Sequence, residues 1–312
     1  VRRGSREEIG IMNKPLVLIK GGGDIASGVA HGLVALGLGV AMTELAKPSM
    51  VRRRVSFGDA VYSGEAEVEG IRGILCPSAK EAFIAAHTGA VAVMVDPTCS
   101  SLGFLHPDVL VDARVAKRNI DTKITDAPVV IAVGPGFIAG RDCHAVVESR
   151  RGPGLGRVIM EGAAAPNTGR PAEVMGHGED RVLRSPGAGV FRGTREIGDA
   201  VRAGDEIGSV EASGGPLAVN ASIAGVLRGL VADGLEVSEN QKLGDIDPSG
   251  VREKCFSISD KALSVGDGVA EAIRRLAPGV IGGAWPVSRR STRVQGGGID
   301  SLRRRWHGGA SG

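Results

Sequence analysis

The chain has 312 residues, enough for two domains with separate cores, and an ordinary apolar fraction of 42%. Phe, Tyr and Trp make up only 3% of it, which argues against single-stranded nucleic-acid recognition by base stacking, so nucleic acid is not an expected partner. Net charge is +3, but from Trp285 onward there are six arginines and one aspartate, so the body is nearly neutral and the tail reads as a disordered basic extension.

Cys76, Cys99, Cys143 and Cys255 are scattered with no CxxC pair, which suits a reducing compartment better than a disulfide framework. The six histidines show no metal-ligand spacing, so no metal site is expected. No stretch is apolar enough to span a bilayer, and "VRRGSREEIG" lacks the apolar core of a signal peptide. The expected location is the cytoplasm, with no membrane partner; Met12 reads as the effective start, after residues 1–11, within a loose leader over 1–13.

In chain order, an apolar strand over 15–19 runs into Gly21, Gly22 and Gly23. A helix follows over 25–36, stopped by Gly37, and a second strand over 40–43 ends at Glu44. The spacing fits G-x-G-x-x-A as Gly21, Gly23 and Ala26: a tight turn, close approach to a phosphate, and close packing of the helix on its strand. Asp24 is the expected N-cap and Ser27 lies in the first turn, where free N–H groups attract an anion. Glu44 stands where a ribose hydroxyl acceptor is expected. The motif is not a P-loop, because Gly28 is followed by Val29 and Ala30 rather than Lys-Ser/Thr. Arg52, Arg53 and Arg54 read as a solvated cluster.

A helix over 78–86 and strands over 91–95, 110–112 and 129–133 come next, then strands over 145–148 and 157–160. Near-continuous Val/Ile/Leu strands alternating with helices predict an α/β class with a Rossmann-like open parallel sheet over 14–175. Polar residues crowd the segment after the strand at 110–112: Asp112, Lys117, Asn119 and Asp121. A second glycine loop with Gly134 and Gly136 follows the strand at 129–133, and loops at strand carboxyl ends border the ligand crevice. The expected cofactor-binding set is therefore Gly21, Gly23, Asp24, Ala26, Ser27, Glu44, Asp112, Lys117, Gly134 and Gly136, with no catalytic residue assigned. Asp142, Cys143, His144 and Glu148 invite a metal or nucleophile reading, but neighbours on a strand point to opposite faces, so Cys143 and His144 are given structural roles.

The second half changes character. "SPGAGVFRGTREIGDAVRAGDEIGSV" (185–210) aligns without a gap on "ASIAGVLRGLVADGLEVSENQKLGDI" (221–246), with Gly189/Gly225, Val190/Val226, Arg192/Arg228 and Gly193/Gly229 among the identities. Copies this short cannot each close a core, which predicts one small all-β barrel-sandwich over 180–250 that resembles biotinyl and lipoyl domains. The turn "EASGGPLAVN" (211–220) contains no lysine, so covalent biotin or lipoate is not expected and a docking module remains. A helical segment over 255–276, with its helix from about 266, and a loose basic tail over 277–312 complete the expected organisation.

The blocks "GGGDIASGVAHGL", "MTELAKPSMVRRRVSFGDAVYSGEAEVEG", "VDARVAKRN", "GPGFIAGRDCHAVVESRRG", "AAPNTGRP" and "KLGDIDP…CFSISDKA" resemble, in order over 14–276, the YqeB family, accessory proteins of the selenium-dependent molybdenum hydroxylase system. The resemblance implies a part in maturing or inserting the molybdenum cofactor or its labile selenium. The chain departs from the family at Pro153, where a His is usual, and at Ser249, where a basic residue is usual.

Two functions follow as expectations. The first is an accessory protein that binds a nucleotide or a molybdopterin-type, nucleotide-bearing cofactor in the crevice and docks apo-molybdenum hydroxylase subunits. The second is an NAD(P)-dependent oxidoreductase acting on a small carbonyl substrate; it lacks a Tyr-x-x-x-Lys pair, since the only tyrosine, Tyr62, is followed four residues on by Ala66.

Overall fold

A computed structural model of the chain describes residues 14–281 except Arg170 and Ala172; the expected leader over 1–13 and positions 282–312 of the expected tail lie outside the described residues. The described residues fall within one compact unit.

The main sheet has nine strands. They are β1 (Leu16–Lys20), β2 (Gly39–Glu44), β3 (Glu65–Val68), β4 (Ile71–Leu75), β5 (Val91–Val95), β6 (Val109–Asp112), β7 (Val129–Val133), β8 (Ala145–Val147) and β9 (Val158–Ile159). Their spatial order is β3-β4-β5-β2-β1-β6-β7-β8-β9. The central strands are continuous apolar runs buried on both faces, as in β1, β6 and β7.

Helices α1 (Asp24–Ala35) and α5 (Asp260–Leu276) share the core on one face. On the other, α3 (Ala79–His87) packs over Leu16, Leu18, Ala41 and Leu110. The Ser78 side chain accepts from Glu81 N–H and the Ser259 side chain from Ala262 N–H, which fixes where α3 and α5 begin. Two one-turn helices, α2 (Ala60–Ser63) and α4 (Leu102–Leu105), lie in connections.

The observed sheets correct the expected fold. The main sheet is mixed rather than an open parallel Rossmann-like sheet: β3 runs antiparallel to β4, and β9 antiparallel to β8. Glu69 and Gly70, at φ of 49° and 78°, join β3 to β4 in two residues. That connection is far too short for a crossover, so the edge must reverse. The helix that packs on β7 and β8 is α5, which comes from the far end of the described chain.

The second half contains β10 (Val182–Arg184), β11 (Gly189–Gly193), β12 (Ala200–Val201), β13 (Glu206–Ala212), β14 (Gly215–Asn220), β15 (Gly225–Leu230), β16 (Glu236–Val237) and β17 (Lys242–Asp247). They form two four-stranded antiparallel sheets, β10-β17-β15-β12 and β14-β13-β11-β16, in place of the expected barrel-sandwich. The repeat is visible as β11/β15, β12/β16 and β13/β17, but the copies exchange a strand: β12 pairs with β15, and β16 with β11. β10 and β14 are counterparts too: each precedes its copy's next strand, and β10 pairs with β17 of the other copy as β14 pairs with β13. Phe191, Ile207, Leu227 and Ile246 from both copies fill a common core, the physical reason neither copy stands alone.

Candidate functional site

The first glycine loop is stitched to its own chain. Gly21 (φ 99°) donates its N–H to Thr43 O at 2.9 Å, and Gly22 N–H donates to Glu44 Oε2 at 2.7 Å. Leu45 N–H donates to the other Glu44 oxygen at 2.7 Å. Burial pushes the Glu44 carboxyl above its ordinary range, while these two backbone donors pull the other way. Oε2 thus ties the glycine loop to the end of β2, Oε1 binds the adjoining backbone, and each oxygen keeps a lone pair for a further donor.

Opposite, Gly58 N–H donates to Gly22 O at 2.9 Å. Ser27 Oγ accepts from Phe57 N–H at 2.9 Å and donates to Gly22 O at 3.3 Å, so this hydroxyl anchors the segment over 56–58 rather than facing outward. Ala26 is fully buried in the core. Gly23, not Asp24, is the N-cap of α1, and Asp24 is the first helical residue. Gly28 serves packing: a Cβ there would lie 2.7 Å from Ala262 Cβ, so α5 crosses α1 at this point. Arg52 corrects the expected solvated cluster: it is buried, and its Nη2 donates to Lys254 O and Ser257 O.

On the other face, the ends of β1 and β6 carry a buried ion network. Asp112 is 1% exposed and takes a two-pronged contact from Arg114, with Nη2 at 2.5 Å and Nε at 3.1 Å, plus the Thr122 hydroxyl at 2.7 Å. Lys20 Nζ reaches Asp121 Oδ1 and Thr122 Oγ1, each at 3.0 Å. Burial opposes the Arg114 charge, but the hydrogen bonds and charges of Asp112 and Asp121 outweigh it and hold the guanidinium protonated. Asp121 is held below the ordinary carboxylate range, chiefly by its hydrogen bond from Arg114. Asp112 is therefore a structural anchor for the 113–122 loop, not a free ligand group.

That loop carries Lys117 to the second glycine loop. At Gly134 (φ 80°) a Cβ would sit 2.6 Å from Ser149 Oγ, and at Gly136 (φ 107°) 2.5 Å from Arg118 Cα. Both glycines let three loops meet at the carboxyl ends of β6, β7 and β8. Glu148 completes the junction: it is 4% exposed, and its two oxygens accept the N–H groups of Arg150 and Ala165, both at 2.7 Å. Nearby, Asp142 accepts from Ile138 N–H at 2.8 Å; of the two residues given structural roles, Cys143 is fully buried and His144 Nδ1 accepts from Val130 N–H at 2.9 Å.

Between these loops and the start of α5 lies a cleft of about 360 Å³ lined by Lys117, Pro135, Ser149, Arg150, Arg151, Asn167 and Lys261. It adjoins a pocket of about 280 Å³ that shares Arg150, Arg151 and Ala165 and adds Glu148 and Arg157. Burial lowers the Lys117 ammonium. It lowers Lys261 as well, the charges of Lys117 and Arg151 acting in the same sense and Asp24 and Glu148 opposing. None of Lys117, Arg150, Arg151, Arg157 and Lys261 makes an ion pair or side-chain hydrogen bond among the described residues. This convergence of cations is what the site offers chemically: a receptor for an anion. Among the described residues no group of three His, Cys, Asp or Glu side chains is placed to hold a metal. No helix among them is long and apolar enough to cross a membrane.

The site thus gathers Lys117 with the loop of Gly134 and Gly136, and brings Asp24 within electrostatic range of Lys261. It leaves Gly21, Glu44, Ser27 and Ala26 in loop closure and packing. The sequence reading missed Lys261, Arg150, Arg151 and Arg157. "ESRRGPG" directly after a strand is a usable signal for Arg150 and Arg151, and the block "CFSISDKA" holds Lys261 without local spacing that ties it to those loops.

No family model matches the chain. Among solved structures it is similar to a succinylglutamate desuccinylase/aspartoacylase from Rhodobacter sphaeroides, at 14% identity and TM-score 0.25, covering 75% of this chain and 85% of that one. It is likewise similar to the ectoine utilization protein EutE (DoeB) from Ruegeria pomeroyi in its product-bound form, at 14% identity and TM-score 0.23 over 75% of this chain and 85% of that one. Likeness at this level carries no conclusion about the site. A curated protein of Escherichia coli (strain K12), described as uncharacterized protein YqeB, is 47% identical over 274 residues, 86% of this chain and 50% of the relative, so the chain spans about half the relative's length. With that identity over most of its length, the chain belongs to the YqeB family.

Proposed function

We propose that the chain is an accessory protein in the maturation of selenium-dependent molybdenum hydroxylases. In this reading it holds a phosphate-bearing nucleotide, or the nucleotide-bearing molybdenum cofactor, in the cleft between Lys117 and Lys261. The observation that carries the ligand class is the convergence of five cations that have no carboxylate partner among the described residues. Lys117 and Lys261 are disfavoured as cations by burial, and at Lys261 by the charges of Lys117 and Arg151, a cost that a bound phosphate offsets. Planar guanidinium groups at Arg150 and Arg151 suit its oxygens, and the two ammonium groups add point charge.

The maturation role rests on the family resemblance, with the antiparallel sheets of the second half as the face for apo-hydroxylase subunits and the cytoplasm as the location. Pull-down of apo-hydroxylase subunits by the full chain, followed by cofactor transfer, tests it. Co-purification and a loss of hydroxylase activity on gene deletion are expected. No binding to any nucleotide or molybdopterin species, with hydroxylase activity unchanged on deletion, overturns it.

A further inference from the structure

The cationic site has two compartments rather than one. Lys117 and Lys261 line only the larger cleft, Arg157 and Glu148 only the smaller pocket, and Arg150 with Arg151 stand in the wall common to both. Glu148 keeps its negative charge while its oxygens accept the N–H groups of Arg150 and Ala165, but the smaller pocket sets Arg150, Arg151 and Arg157 against that one carboxylate, so its lining stays net positive. Each compartment therefore keeps its own uncompensated cation. A single phosphate between the lysines leaves Arg157 unpaired, and one beside Arg157 leaves the lysines repelling each other. Two phosphates joined by a bridging oxygen put one anionic centre in each compartment, with the shared arginines able to reach both.

We infer that the ligand is a diphosphate: one phosphate lies between Lys117 and Lys261, the other beside Arg157, and Arg150 and Arg151 span the bridge. This rests on the phosphate reading of the cleft and narrows it to a class, molecules with a pyrophosphate linkage rather than monophosphates. Arg157 is the residue that distinguishes the two, since it touches only the second compartment.

Isothermal titration calorimetry of the full chain with inorganic phosphate, inorganic pyrophosphate and methylenediphosphonate, at one ionic strength, tests this. Pyrophosphate and the diphosphonate are expected to bind at least about tenfold more tightly than phosphate. Arg157→Ala is expected to remove that advantage, weakening pyrophosphate about tenfold while changing phosphate less than about twofold, and Arg157→Lys to fall between. Arg157 is exposed, and an unchanged urea midpoint confirms that the variant folds. Equal effects of Arg157→Ala on phosphate and pyrophosphate, or no effect on either, overturn the diphosphate assignment while leaving a phosphate site standing. Failure of wild-type protein to bind any of the three probes overturns the phosphate reading itself.

Discussion

Two neighbouring glycines of the first loop, Gly22 and Gly23, make opposite demands on stability. A Cβ added at Gly22 would lie 2.8 Å from Gly58 Cα, 3.0 Å from Gly58 N and 3.2 Å from Glu44 Oε2. The atoms it meets at 2.8 and 3.0 Å are backbone on a segment pinned by the Gly58 N–H to Gly22 O and Phe57 N–H to Ser27 Oγ bonds, so no side chain can swing away. Gly22→Ala must part the two backbones. It forfeits a hydrogen bond worth about 1 kcal/mol and adds overpacking of about 1–3 kcal/mol, roughly 2–4 kcal/mol in all.

At Gly23 the nearest atom to an added Cβ is Met50 Cβ at 3.8 Å and φ is −72°, so alanine fits without strain. Gly23→Ala should stay within about 1 kcal/mol of wild type, the gain of about 0.4–1 kcal/mol through the unfolded chain being offset by the poorer N-cap that alanine makes for α1. Urea denaturation of both variants, with m-values compared, reads this directly. A Gly22→Ala protein as stable as wild type, or a Gly23→Ala protein equally damaged, refutes the account of the loop as an internal joint.

Other substitutions follow from the same contacts. Gly28→Ala should cost about 1–3 kcal/mol in urea unfolding, because the α1–α5 crossing leaves only 2.7 Å to Ala262 Cβ. Asp112→Asn should cost about 3–5 kcal/mol, since it strips the buried carboxylate from Arg114 in the network shared with Lys20. The depressed pKa of Asp121 means that its contribution is fully present above its ordinary value of 3.8 and lost as pH falls through the lower folded value. The stability gap between wild type and Asp121→Asn, followed by denaturation from pH 6 downward, should therefore close only below about pH 4.

The sequence announced the sheet's interior better than its edges. Strands such as Val91–Val95 and Val129–Val133 are unbroken Val/Ile/Ala/Met runs whose burial on both faces leaves an unmistakable trace. The β3–β4 hairpin was invisible because an edge strand needs only one buried face: Glu65 and Glu67 are exposed, and "EAEVEGIRGIL" reads as polar. That hairpin and the antiparallel pairing of β9 with β8 are what separate the sheet from a purely parallel one. The start of α5 was also misplaced, because Ser259 caps a first turn whose buried Ala262 and Val265 lack the bulk of a hydrophobic stripe.

At the site, Lys117 and the loop of Gly134 and Gly136 were legible as a polar segment and a glycine turn after successive strands. At Glu44 and Ser27, spacing alone does not show the backbone N–H groups that bond to both side chains. Lys261 joins the cleft only because α5 folds back across α1, a tertiary event with no local signature.

The central claim, a phosphate-bearing ligand held by the cationic cleft, is tested most directly by native mass spectrometry of the full chain purified from its own host. Wild type should carry a retained mass containing phosphate. A Lys117→Ala, Lys261→Ala variant, with an unchanged urea midpoint, should lose it. A ligand retained equally by both proteins, or a wild type that stays empty even when phosphate-bearing nucleotides are supplied, contradicts the account.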